Sequence, residues 1–151
     1  MELKQLTKKV CSISKEVGAF IQHESTKLNS GDIEIKSKNS LVTYVDKTAE
    51  KELVNFLSKL IPESGFIAEE GTSTKTGELY NWVIDPLDGT TNFIHGIPTY
   101  CISIALLKNK ELISGVIYEP NQDEMFYAWK NGGAYLNGKS ISVSSTKKIS
   151  N

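Results

Sequence analysis

The sequence predicts an α+β fold in which two helices pack on a mainly antiparallel sheet. Two stretches with helical spacing of apolar residues lie in the first part of the chain, and short apolar segments separated by turn residues fill the last part. The chain has 151 residues, of which 39% are hydrophobic and 23% are charged. That length and composition are enough for one buried core.

The first helix is predicted from apolar residues that recur at spacings of three and four, which places them on one helical face. They are Leu3, Leu6, Val10, Ile13, Val17 and Phe20. Residues 33–36 then alternate as a short strand does, and polar residues 37–40 lead on to Val42 and Asp46.

A second helix is predicted after Asp46. Its buried face consists of Ala49, Leu53, Phe56, Leu57 and Leu60. Pro62 and Gly65 mark the exit from this helix. A short strand at 66–68 ends in Glu69 and Glu70, and the polar residues 71–81 read as a loop.

The remaining segments predict one central strand and a β meander. The central strand covers residues 82–84, and the meander strands cover 101–107, 112–118, 125–129 and 134–136. Turns are expected at 108–109, 120–121 and 131–133. A last short strand is expected at 140–143.

The candidate site is the segment DPLDGTTNF at residues 85–93, which directly follows the central strand. Pro86 and Gly89 interrupt a strand, so Asp85 and Asp88 are expected at its carboxyl end. Carboxylates are the hard ligands that Mg²⁺ prefers, and a helix beginning at Gly89 and Thr90 presents free N–H groups to an anion. This segment therefore predicts a magnesium and phosphate site.

An isolated segment of this kind is more typical of a type I turn with a threonine N-cap. The neighbouring acids favour the site, because Asp46, Glu69 and Glu70 also follow apolar segments. Glu69 and Glu70 are adjacent in a strand and point to opposite faces, so only one of them can face the metal. We expect Glu69 to be that one.

With these residues in view, the chain resembles the inositol monophosphatase family of Mg²⁺-dependent, lithium-sensitive phosphatases. The resemblance rests on residues 85–93 and 68–70, and on Lys36, 41–46, 96–105 and 133–138, which follow in family order. It implies that residues 1–151 form the N-terminal α+β part of a layered αβαβα fold. The C-terminal α/β segment of the family, with one further metal-binding aspartate, would lie outside this chain.

The resemblance also implies roles for individual residues. Glu69, Asp85 and the Leu87 carbonyl would bind one Mg²⁺, and Asp85 and Asp88 would bind a second. Glu69 and Thr90 would orient the attacking water, with Asp46 accepting a hydrogen bond from Thr90. Asp88, Gly89, Thr90 and Lys36 would contact the phosphate or substrate. The implied activity is hydrolysis of inositol monophosphate by metal-activated water.

Charge and apolar patterning set expectations about partners and location. The formal net charge is −1, and the lysines are scattered, which disfavours nucleic acid. No apolar run approaches the roughly 20 residues of a membrane-spanning helix, and the N-terminus lacks signal-peptide character. A cytoplasmic protein is expected. The resemblance implies a small phosphate monoester as substrate and a homodimer in the full-length protein. Cys11 and Cys101 are expected to be buried thiols rather than a disulfide.

Two alternatives stay open at this level. Nucleotide 3′-phosphatases and fructose bisphosphatases share the D-P-x-D-G core, although the residues after it look most like the inositol branch. A noncatalytic fragment of the same family is the other alternative, and exposed sheet surface would then favour self-association.

Overall fold

The structure, a computed structural model, describes residues 2–28 and 35–146, and among them the side chains of 28 and 35–41 are not described. Helices α1 (Leu3–Leu28), α2 (Ile35–Leu60) and α3 (Thr90–Ile94) are present. The strands are β1 (Gly65–Ala68), β2 (Tyr80–Asp88), β3 (Cys101–Lys108), β4 (Glu111–Glu119), β5 (Glu124–Trp129), β6 (Gly133–Leu136) and β7 (Lys139–Ile141).

The seven strands form one sheet in the order of the sequence, from β1 to β7. β1 is parallel to β2, and every later neighbouring pair is antiparallel. Hairpin turns with positive φ connect the later strands, as at Asn109 and Lys110 and at Asn137 and Gly138. The mainly antiparallel sheet, the meander and the α+β class are thereby confirmed.

Helices α1 and α2 contact each other and cover the sheet, with α1 against β3, β4 and β5 and α2 against β2. The core lies in this interface because both helices direct their apolar stripes into it. From α1 the buried residues include Leu6, Val10, Ile13, Val17 and Ile21, and from the sheet they include Trp82, Ile84, Ile104 and Leu106. The predicted α1 stripe is confirmed, and its end residues Leu3 and Phe20 are partly buried against the core.

Helix α2 begins earlier than predicted. Ile35 and Lys36, predicted to end a short strand, are helical, while residues 33 and 34 lie outside the described residues. The reason is that helical spacing continues upstream of Ala49: Val42 and Val45 precede it on the same buried face. Asp46 therefore lies within a helix, not at the end of an apolar segment.

Strand β2 is longer than predicted, because it continues through Pro86 to Asp88. The register with β3 shifts between Asp85 and Asp88, so Pro86 lies in an irregular part of the ladder where a missing N–H is tolerated. The last strand is also displaced: β7 ends at Ile141, and Val143 is 95% exposed.

The face of the sheet opposite α1 and α2 carries exposed apolar side chains. Ile67, Leu112, Ile117 and Ile141 are each at least 40% exposed. None of the helices in the described part of the chain is long and apolar enough to cross a membrane.

Candidate active site

The irregular end of β2 positions the two aspartates of the DPLDGTTNF segment. Asp85 pairs with Ser103 and Asp88 with Cys101 across the β2–β3 ladder. The Leu87 N–H donates to Asp85 Oδ1 at 3.2 Å, which fixes the aspartate against its own turn. The Leu87 side chain is only 1% exposed, so its packing in the core fixes this turn. Both carboxylates thus leave the sheet from one anchored segment.

The next residue, Gly89, makes the sharp turn from β2 into α3. It has φ 101°, which a residue with a side chain rarely adopts. An added Cβ would also lie 3.0 Å from the Thr99 carbonyl and 3.1 Å from Tyr100. The short helix that follows is anchored by Phe93, whose ring packs edge-on against Tyr100 at 5.3 Å. The predicted helix start after Asp88 is confirmed.

Thr90 makes a different hydrogen bond from the one expected. Its Oγ1 donates to the Leu87 carbonyl at 3.0 Å, as a hydroxyl at the first turn of a helix readily does. Among the hydrogen bonds of the described residues, none joins Thr90 to Asp46. Thr90 and the Leu87 carbonyl, both predicted site groups, therefore contact each other in this structure.

Asp46 enters the site from α2, which packs against both β2 and α3. It is 7% exposed. Glu50, one turn later on the same helix, is 0% exposed, and its two oxygens accept hydrogen bonds from the N–H groups of Glu70 and Thr72. Glu50 was not among the site residues predicted from the sequence. Its position could have been inferred from the sequence, because Glu50 lies four residues after Asp46 and beside the apolar stripe of Val42, Ala49 and Leu53.

Glu69 and Glu70 follow β1, the parallel neighbour of β2. The Glu69 N–H donates to the Ile84 carbonyl at 3.3 Å, so Glu69 continues the ladder next to Asp85. Glu69 lies near enough to Asp85 to help raise the pKa of the Asp85 carboxyl. The expectation that Glu69 lies beside the DPLDGTTNF segment agrees with this arrangement.

Burial and mutual repulsion raise the pKa values of two aspartates at this site. The pKa of Asp46 is raised to about 7, first by burial and then by the charges of Glu70, Asp85, Glu69 and Glu50. The pKa of Asp85 is raised to about 6, first by burial and then by Glu69 and Asp88. Within the described residues, no ion pair involves any of these six acids. Negative charge therefore exceeds positive charge among the described side chains of the site.

Cys101 lies beside Asp88 and was not predicted to do so. Its Sγ is 3.7 Å from Asp88 Oδ2, and burial, followed by the Asp88 charge, raises the thiol pKa to about 11. Cys101 is only half-buried, whereas Cys11 is buried, and both are free thiols. The protonated thiol thus acts as a weak donor to Asp88. The antiparallel register made this contact, which local sequence could not reveal.

The donor chemistry of the site fits a hard divalent cation, because carboxylates with raised pKa values gain most from a nearby positive charge. The present side-chain positions do not form a finished metal site. No group of three or more His, Cys, Asp or Glu side chains within the described ranges is close enough to hold a metal ion. A cation would have to draw these carboxylates together.

Lys36 was also predicted to contact the phosphate or substrate. It is in the first turn of α2, and its side chain lies outside the described residues.

Comparison with known proteins identifies the family. A family model described as "Inositol monophosphatase family" matches residues 2–151. An inositol monophosphatase of Dictyostelium discoideum is 44% identical over 98% of this chain and 55% of its own length. An Aquifex aeolicus protein named fructose-1,6-bisphosphatase/inositol-1-monophosphatase is 36% identical over 87% of this chain and 50% of its own.

A solved structure gives the same result for the fold. The inositol monophosphatase from Anabaena (Nostoc) sp. PCC 7120 superposes with a TM-score of 0.82 at 32% identity, covering 98% of this chain and 53% of that one. The chain therefore spans about half the length of the relatives it matches.

Proposed function

The chain belongs to the inositol monophosphatase family, and we propose that it supplies the metal-binding part of a phosphatase that acts on inositol monophosphate. The relatives are named as phosphatases of this family, which supports a small phosphate ester as substrate. The observation that carries the proposal is that the ladder of two parallel strands places Glu69 next to Asp85, with Asp46 and Asp88 adding negative charge nearby.

Mg²⁺ is the proposed cofactor. Glu69, Asp85 and the Leu87 carbonyl would hold one ion, and Asp85 and Asp88 would contribute to a second. When bound, such ions neutralise phosphate charge and lower the pKa of coordinated water. Protonated carboxylates bind cations poorly, so the raised pKa values of Asp46 and Asp85 predict weaker metal binding below about pH 6.

The other proposed roles belong to the turn after β2. Gly89 and Thr90 begin α3 and would offer backbone N–H groups to the phosphate, together with Asp88 and Lys36. Thr90 and Glu69 would orient the attacking water, with Asp46 as the partner of Thr90. For that role the Thr90 hydroxyl must rotate away from the Leu87 carbonyl, which it contacts in this structure.

The test is phosphate release from inositol 1-phosphate by the purified protein, with and without millimolar Mg²⁺. Asp85→Asn removes one charge from the centre of the cluster, and we expect activity to fall at least about 100-fold, the scale seen when a key electrostatic group is lost. Asp123→Asn is the matched control because Asp123 is exposed and lies in the β4–β5 turn.

Metal binding is measured separately by calorimetric titration of wild type and both variants. Mg²⁺ binding that Asp85→Asn abolishes and Asp123→Asn retains supports the proposed cation site even where turnover is low. Mg²⁺ binding without phosphate release would favour the noncatalytic alternative. Wild-type activity that needs no divalent cation would contradict the proposal.

One relative favours a second substrate class. The Aquifex aeolicus protein is named for both fructose-1,6-bisphosphate and inositol 1-phosphate. Parallel assays with fructose 1,6-bisphosphate and adenosine 3′,5′-bisphosphate therefore belong in the same experiment. Turnover of either one that exceeds that of inositol 1-phosphate would replace the inositol assignment.

The remaining expectations stay predictions with direct measurements. Lithium is expected to inhibit Mg²⁺-dependent turnover, and a lithium titration checks this. The homodimer is checked by sedimentation, and the cytoplasmic location by fractionation of cells that produce the protein.

A further inference from the structure

Glu50 is a completely buried acid that the proposed chemistry does not use. It lies on α2 one turn after Asp46 and is 0% exposed. A buried carboxylate is costly unless hydrogen bonds compensate for its lost hydration. Its partners are not on its own helix: Oε2 accepts from the Glu70 N–H at 2.7 Å, and Oε1 accepts from the Thr72 N–H at 2.8 Å.

These two hydrogen bonds hold the turn at the end of β1. On one side of the turn, the Glu69 N–H is bound to the Ile84 carbonyl of β2 at 3.3 Å. On the other side, the Glu50 carboxylate accepts hydrogen bonds from the N–H groups of Glu70 and Thr72. Gly71 lies between them with φ 68°, so the chain bends sharply around the carboxylate. Glu69 is thus fixed from both directions.

This arrangement orients an acid that repulsion would otherwise drive away. Glu69 must stay beside Asp85 although both carry negative charge when ionised. Backbone hydrogen bonds to a buried carboxylate are charge-assisted and therefore strong. They hold the backbone of Glu69 and Glu70 while leaving the Glu69 carboxylate free to face Asp85.

We propose that Glu50 is a positioning residue whose carboxylate fixes the turn at 69–72 and so orients Glu69 toward Asp85 for cation binding. The proposal rests on the proposed function, because a cation site is what the orientation serves. Glu50 itself does not bind the cation, since both of its oxygens accept backbone N–H groups.

The test compares Glu50→Gln with Glu50→Asp. Gln keeps the length of the side chain but replaces one acceptor with an NH₂ group, and Asp keeps the charge but shortens the reach. Thr7→Val is the stability control, because Thr7 is 0% exposed and hydrogen-bonds Ser114 in a distant part of the core. Each variant is measured for Mg²⁺ affinity, thermal midpoint and amide hydrogen exchange.

In the metal-free protein, the amides of Glu70 and Thr72 are expected to exchange at least tenfold faster in both Glu50 variants than in wild type. In Thr7→Val their exchange rates are expected to equal those of wild type. Mg²⁺ affinity is expected to fall at least tenfold in both Glu50 variants and to stay constant in Thr7→Val. The Glu50→Asp result separates positioning from charge, because long-range charge alone would leave its affinity at the wild-type value.

Four results would overturn the inference. Wild-type Mg²⁺ affinity in Glu50→Asp would assign the effect to charge. Unchanged exchange at Glu70 and Thr72 would show that Glu50 does not hold the turn. A lower thermal midpoint with unchanged affinity in both variants would make Glu50 a stability residue only. If the wild-type protein binds no Mg²⁺, the proposed function fails first, and this inference fails with it.

Discussion

Helices α1 and α2 lie side by side against the same sheet, yet their buried acids have different partners. On α1, Thr7 hydrogen-bonds Ser114 at 2.8 Å, and Ser14 donates to the Val10 carbonyl at 2.9 Å. On α2, the buried polar residues are the acids Asp46 and Glu50. The buried acid of α1, Glu24, pairs with Lys27 at 2.6 Å, whereas neither α2 acid has an ion-pair partner among the described residues.

The charged side chains of α1 are also matched. Lys15 pairs with Asp123 at 2.8 Å, and Lys8 contacts the hydroxyl and ring of Tyr127. On α2, Glu50 is satisfied by two backbone N–H groups, but Asp46 faces other acids. The difference teaches that the buried acid of α1 is balanced by a lysine, whereas the buried acids of α2 have no ion-pair partner among the described residues.

The largest expected effect is on activity and comes from the α2 side. Asp46→Asn keeps the shape of the side chain but removes a buried charge, and we expect the Mg²⁺-dependent rate to fall about 10- to 100-fold, as for partners of metal ligands. Steady-state assays over a Mg²⁺ series measure this. A rate within twofold of wild type would break the comparison, because Asp46 would then be no more functional than the α1 residues.

The next effect is on stability as a function of pH in metal-free protein. Folding raises the pKa of Asp46 from 3.8 to about 7 and that of Asp85 from 3.8 to about 6. Between these limits the folded state holds protons that the unfolded chain has released, so stability falls as pH rises from about 4 to 7. For Asp46 the total loss is roughly 2–4 kcal/mol.

Urea unfolding in a chelator at pH 5 and pH 7.5 measures this loss. Asp46→Asn is expected to flatten the slope and to raise stability at pH 7.5, the opposite of its effect on activity. Saturating Mg²⁺ is expected to restore much of the wild-type stability at pH 7.5. A wild-type stability that rises over the same interval would contradict the electrostatic account of the α2 side.

The smallest effect belongs to α1. Thr7→Val removes the buried hydrogen bond to Ser114 and the one donated to the Leu3 carbonyl, and is expected to cost about 1–2 kcal/mol. Because neither residue titrates, the loss should be equal at pH 5 and pH 7.5, and the Mg²⁺ dependence of activity should be unchanged. Urea midpoints at both pH values check this. A pH-dependent loss would mean that the two sides are coupled.

Much of the fold followed from local pattern. The α1 stripe, the β1 strand and the meander with its turns were predictable because period and turn chemistry are properties of neighbouring residues. The start of α2 was predicted wrongly. The alternation at residues 33–36 indicates a strand, whereas the helical spacing of Val42 and Val45 extends the helix upstream of Ala49. The extension of β2 through Pro86 was missed because a register shift is set by the partner strand β3.

By itself, the sequence determined which residues can carry the chemistry: the acids of the DPLDGTTNF segment, Glu69 before it, and the glycine that turns β2 into α3. The tertiary structure alone decided which groups meet. It placed Glu69 against Asp85, Cys101 beside Asp88, and Glu50 beneath the turn at 69–72. The physical reason is that donor type and backbone freedom are local properties, whereas burial, repulsion and hydrogen bonding between distant residues exist only once helix and strands are packed.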